Sequence, residues 1–132
     1  MPIISLSIPK ELLNKIDYYV RERGYYSRSE VFRDAIRSLV EEAEYMSMDR
    51  ISATIMVTYD KENTSISRLM GRLNHEFNDI VVESIHRHLA GKYCIDIFVT
   101  EGERERIKEL LSRIRGVHGV YHVKHMFIPV ED

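Results

Sequence analysis

The sequence predicts an α+β chain in two parts, on three observations. An alternating stretch over residues 1–8 leads into two segments with helical spacing, all within the first fifty residues. From about residue 51 the apolar pattern switches repeatedly between strand and helix spacing, in the order βαββαβ. Inside that second part, His86-Arg87-His88-Leu89-Ala90-Gly91-Lys92-Tyr93-Cys94 reads as a β-hairpin. It has two imidazoles on one arm and the only cysteine on the other.

In residues 1–8, Ile4, Leu6 and Ile8 point one way and Ile3, Ser5 and Ser7 the other, the pattern of a half-buried strand with small hydroxyls on its open face. Pro9 stops the strand and suits the first turn of a helix. Leu12, Leu13, Ile16, Tyr19 and Val20 supply that helix's apolar stripe, and Gly24 ends it. Ser27-Arg28-Ser29-Glu30 is a capping box, in which the Ser27 hydroxyl takes the Glu30 amide and the Glu30 carboxylate reaches back. The helix it opens carries Val31, Phe32, Ala35, Ile36, Leu39 and Val40 on its apolar side and ends near Tyr45. One strand and two helices cannot bury a sufficient core alone, because the strand has no ladder partner. A second copy supplies one: two antiparallel strands about a two-fold axis, with four helices beneath. The row Ile3, Ser5, Ser7 then becomes a two-stranded ribbon of a size that enters the DNA major groove. Ser27, Arg28 and Ser29 stand at a helix N-terminus, where free amides suit a phosphate.

A linker is expected near residues 46–50, which separates domains at 1–47 and 51–132. Beyond it, Ile51 to Tyr59 reads as a strand, and Asn63 or Thr64 caps a helix bearing Ile66, Leu69, Met70, Leu73 and Phe77. Ile80 to Leu89 and Tyr93 to Thr100 form the hairpin. Gly102 to Arg115 is read as a helix and His118 to Pro129 as a last strand. This order is the ferredoxin-like split unit, with both helices on one face of the sheet. The face bearing His86 and His88 also takes Val82, Ser84 and, in register, Phe98. It is read as the open face, too apolar for water and therefore packed on a second subunit.

His86 and His88 are two apart, so on a strand they share a face. A three-residue loop Ala90-Gly91-Lys92, with Gly91 at positive φ, sets Cys94 opposite His88 on that face. A two-residue loop would turn Cys94 away. Two imidazoles and a thiolate make a nitrogen/sulfur set for a late transition metal, nickel or copper in a planar site or zinc in a tetrahedral one. Three ligands do not close a site. His75, on the last turn of the preceding helix, is a candidate fourth across an interface, although a histidine there also simply complements the helix dipole. His118, His122 and His125 read as surface residues, with His122 and His125 on opposite faces of the last strand.

Composition bounds the function. The chain has 132 residues, 44% hydrophobic and 30% charged, with formal net charge -2. A single cysteine excludes an internal disulfide framework and fits a reducing, cytoplasmic setting. No apolar run approaches the ~18 residues of a membrane span, and no signal peptide is expected. The acidic balance disfavours charge-driven, non-specific nucleic-acid binding while leaving room for a local binding face. Neither a Gly-rich phosphate loop nor an HExxH motif is present, and no nucleophile–base pair is apparent, so an enzyme is not expected.

Residues 1–45 resemble the ribbon-helix-helix repressors, through the Gly24-Tyr25 break and the Arg28-Ser29-Glu30 run followed by Arg33-Asp34. Such a domain, followed by βαββαβ with the His75, His86, His88, Cys94 series, closely resembles the nickel-responsive transcriptional repressors over essentially the whole chain. The resemblance implies a homotetramer, a dimer of dimers, with square-planar nickel between subunits, one ion per subunit. His86, His88 and Cys94 would come from one subunit and His75 from its neighbour. It also implies a supporting role for Tyr59, and an alkali-metal or other second cation at Glu30 and Asp34, two carboxylates one helical turn apart that read equally as solvated surface acids. On palindromic operator half-sites Ser5 and Ser7 would read bases, with Arg28, Ser29 and Arg33 on phosphates. Ile3 stands where the family often has arginine, and offers only apolar contact. The alternative is a ribbon-helix-helix regulator that senses a small molecule such as an amino acid.

Overall fold

The computed structural model describes residues 1–45 and 47–130, which fall into two compact units that divide between Ala43 and Glu44. Met46, in the expected linker, lies outside the described residues.

In the first unit α1 spans Lys10–Arg23, and α2, Arg28–Tyr45, runs two residues past its end. Pro9 caps α1, and Gly24, at φ 71°, ends it in the left-handed conformation that costs glycine least. The capping box forms by half. The Glu30 amide donates to the Ser27 hydroxyl at 3.3 Å, but the Glu30 carboxylate turns to Arg33 at 2.6 Å instead of reaching back. Residues 1–9 form no strand in the single chain. The expected alternation is present in the residues, but a strand needs a ladder partner and the described residues offer none for it. The apolar sides of the helices are only partly covered, with Leu13, Val20, Val31 and Phe32 half-buried. Ile16 is the only buried residue of α1, α2 has none, and Ile4, Leu6, Ile36, Leu39 and Val40 are exposed.

The second unit is a four-stranded antiparallel sheet in the order β2-β3-β1-β4: β1 Arg50–Asp60, β2 Val81–His88, β3 Tyr93–Glu103 and β4 His122–Pro129. Helices α3, Thr64–Glu76, and α4, Arg104–Arg115, share the core with one face of it. Strict alternation along β1 buries Ile51, Ala53, Ile55, Val57 and Tyr59 against Ile66, Met70, Leu73, Ile107, Leu110 and Ile114 of the helices. The Asn63 side chain caps α3 by accepting from the Ile66 amide.

Two boundaries move. Gly102 belongs to β3, paired with Ile51, and α4 starts only at Arg104. A glycine is needed in that strand because a Cβ there would lie 2.6 Å from Ile80 Cγ2. The last strand begins at His122, since a turn containing Gly119 at φ 100° precedes it.

Candidate metal centre

The hairpin has the three-residue loop. Gly91 sits at φ 83°, the Leu89 amide donates to the Tyr93 carbonyl at 2.9 Å, and His88 pairs with Cys94. His86, His88 and Cys94 therefore leave the same side of the sheet. Their candidate ligand atoms all lie within 4.8 Å of one another, with Cys94 Sγ 3.6 Å from His88 Nδ1. Among the described residues this is the only such group of histidine, cysteine and carboxylate side chains.

The side of the sheet is not the one expected. Cys94, Phe98 and Thr100 are buried on the helix-covered face, so the histidine row belongs to that face and not to the open one. It is exposed because β2 is an edge strand that the core does not cover. A bulge between Val81 and Glu83 also changes the row. Val81 takes the place assigned to Val82, beside Ser84, His86 and His88, and Val82 is left 66% exposed.

One site residue escaped the sequence reading. Asp96, two residues beyond Cys94 and opposite His86, is buried, and its Oδ1 accepts from His86 Nδ1 at 2.9 Å. The Tyr59 hydroxyl donates a short hydrogen bond to the same carboxylate and lies 3.3 Å from His86 Nδ1. With Nδ1–H given to Asp96, the His86 Nε2 lone pair is left for a ligand. The signal was available: an acid on the same strand face as Cys94, across from a histidine, is the usual partner of a ligating imidazole. Burial, and next the hydrogen bond to Asp96, push the Tyr59 hydroxyl far above its ordinary pKa, so it stays a donor. Burial, reinforced by the Asp96 carboxylate, also pushes the Cys94 thiol up.

His75 is exposed on the last turn of α3 and is not part of the group within one chain. His122 Nδ1 bonds the Thr58 hydroxyl at 2.9 Å on the open face. His125, on the other face, lies 3.1 Å from Arg115 and against the Phe127 ring.

The donor set fits a late transition metal, with two imidazoles and a sulfur in reach of one point and one imidazole held by a carboxylate. A family described as the NikR C-terminal nickel-binding domain matches residues 52–128, and the copG family of ribbon-helix-helix proteins matches residues 3–43. A putative nickel-responsive regulator of Haloarcula marismortui is 34% identical over 100% of this chain and 96% of its own length. Another, from Methanosarcina mazei, is 37% identical over 97% and 93%. The chain belongs to the nickel-responsive regulator family. Its relatives and domains are those of regulatory DNA-binding proteins, not enzymes. In fold alone, it resembles an uncharacterized protein of Thermotoga maritima, at TM-score 0.50 and 13% identity, over 62% of this chain and 99% of that one.

In this regulator Ile3, Ser5, Ser7 and Ser29 are exposed. Arg28 is held by both oxygens of Asp17, at 2.8 and 3.1 Å, and Arg33 by Glu30. Asp34 accepts from the Tyr25 hydroxyl at 2.5 Å. Glu30 and Asp34 are thus engaged with different partners, and the structure does not bring them together as a metal group. No helix is long and apolar enough to cross a membrane among the described residues.

Proposed function

We propose that this chain is a cytoplasmic, nickel-dependent transcriptional repressor. The observation that carries the reading is the convergence of His86, His88 and Cys94, with Asp96 and Tyr59 behind His86. Residues 51–132 form the metal-binding and tetramerisation domain, with one nickel ion per subunit. His75 of a neighbouring copy is the fourth ligand, which fits its exposure and its absence from the group within one chain. Residues 1–47 form the DNA-binding domain. Pairing residues 1–8 across a two-fold would supply the missing ladder and cover the open apolar sides of α1 and α2. In the resulting dimer of dimers, Ser5 and Ser7 face bases of a palindromic operator, Ile3 adds apolar contact, and Arg28, Ser29 and Arg33 hold phosphates. Arg28 and Arg33 would turn from Asp17 and Glu30 to do so, and Glu30 and Asp34 could then take an alkali-metal ion.

Nickel titrated into the metal-free protein tests this, with absorption and operator binding followed together. A thiolate-to-nickel charge-transfer band that saturates at one ion per chain, is lost in Cys94→Ala, and rises with DNA affinity is expected. DNA binding unchanged at saturation overturns the reading, and an effector response that survives Cys94→Ala favours a small-molecule sensor.

A further inference from the structure

The last turn of α3 is held by an arrangement that the metal trio does not explain. Arg106, on α4, gives its Nη2 to the Glu76 carbonyl at 2.9 Å and grips Asp79 with two nitrogens at 3.1 and 3.2 Å. Its Nη1 reaches Glu109 at 3.1 Å, and its guanidinium lies over the buried Phe77 ring at 4.0 Å. About two helical turns further along α4, Arg113 makes a two-pronged pair with the Glu76 carboxylate at 2.9 and 3.2 Å, 5.8 Å from the same ring. Two arginines of one helix therefore fasten residues 76–79, where another helix ends and turns.

Exposed ion pairs usually contribute little, but this geometry uses the planar fork of arginine rather than its charge alone. Paired donors, a backbone carbonyl and a ring face fix direction as well as distance. The carboxylates also stand where a helix tolerates them least. Glu76 and Asp79 lie at the carbonyl end of α3, where negative charge opposes the helix dipole. The arginines offset that repulsion and draw both carboxyls below their ordinary pKa. What the turn presents is His75. Its carbonyl accepts from the Phe77 and Asn78 amides, so its backbone is locked into the same cap.

We infer that Arg106 and Arg113 are positioning residues for His75, clamping the end of α3 so that this imidazole is offered at a fixed height and angle to a neighbouring copy. The inference rests on the reading of His75 as a nickel ligand. An imidazole on a frayed helix end would lose rotational freedom when it ligates, and the clamp removes that cost beforehand.

Three full-length variants test it: Arg106→Met with Arg113→Met, which keeps aliphatic packing over Phe77; Glu76→Gln, which opens only the Arg113 arm; and His75→Ala as reference. Nickel affinity and the absorption spectrum of the loaded protein are read, with amide hydrogen exchange of residues 74–80 in the metal-free protein. The double variant is expected to lose roughly tenfold in nickel affinity. Its spectrum should move toward that of His75→Ala, with faster exchange at 74–80 and unchanged circular dichroism. Glu76→Gln should move the same way by less, and it carries the test should the double variant not fold. A loaded spectrum and affinity that stay wild-type in the clamp variants, while His75→Ala changes both, overturn the inference and leave the ligand assignment intact. A wild-type spectrum in His75→Ala itself overturns both.

Discussion

Asp96 shows how one side chain ties packing to chemistry. Itself buried, it accepts from the buried Tyr59 hydroxyl and from His86, whose ring is partly open to water. Asp96→Ala leaves the buried Tyr59 hydroxyl with a weaker partner set, a loss of about 1–3 kcal/mol that denaturant unfolding of the metal-free protein would show. It also frees the His86 ring, and nickel affinity should fall by roughly 10–100-fold. Gly102 is constrained by volume alone. Gly102→Ala drives a methyl into Ile80, which seats the turn before β2, and is expected to destabilise the second unit by about 1–3 kcal/mol. At the surface, Arg28 holds the Asp17 carboxyl below its usual range, chiefly through their hydrogen bonds. A lowered folded-state value means that the pair stabilises above the ordinary carboxylate pKa and is lost as pH falls through the lowered one. The difference in unfolding midpoint between wild type and Asp17→Asn should thus be present near neutral pH and vanish in acid. A difference that persists or grows in acid rejects the linkage.

The hairpin is the element that the residues announce best. The shared face of His86 and His88 follows from a two-residue period and the positive φ from Gly91, while the facing of His88 and Cys94 turns on the three-residue loop that the structure has. Gly91→Ala meets no neighbour, so its cost is backbone strain alone, about 1–2 kcal/mol, with the metal trio retained. Thermal unfolding with and without nickel separates the two effects. What the local pattern could not carry is the bulge at Val82, which depends on how β2 enters the sheet, and the continuation of β3 through Gly102. The latter is legible only once Ile80 is known to fill the space above it. The sidedness of the histidine row is of the same kind. Alternation says which residues share a face, but not which face the helices cover, nor that an edge strand stays wet on the covered side.

At the scale of the whole molecule, the order of elements and the two-part division were readable because each part has its own periodicity. The ribbon is not realised in one chain, because a strand needs a ladder and the partner proposed for residues 1–8 is a second copy. Asp96 is legible only through the hairpin register, which sets it on the Cys94 face and opposite His86. The uncovered residues Ile4, Leu6, Ile36 and Leu39 make assembly a testable requirement. Leu39→Lys should lower the subunit association seen in sedimentation and abolish operator binding. The charge-transfer band on nickel addition should be unchanged if the second unit assembles independently.

Cys94 is the chain's single sulfhydryl and is only 2% exposed. In the folded molecule an alkylating reagent such as a maleimide has almost nothing to attack, whereas an opened chain reacts at once. Labelling kinetics therefore give each substituted protein that keeps this cysteine a built-in clock for opening of its sheet, readable by mass alone.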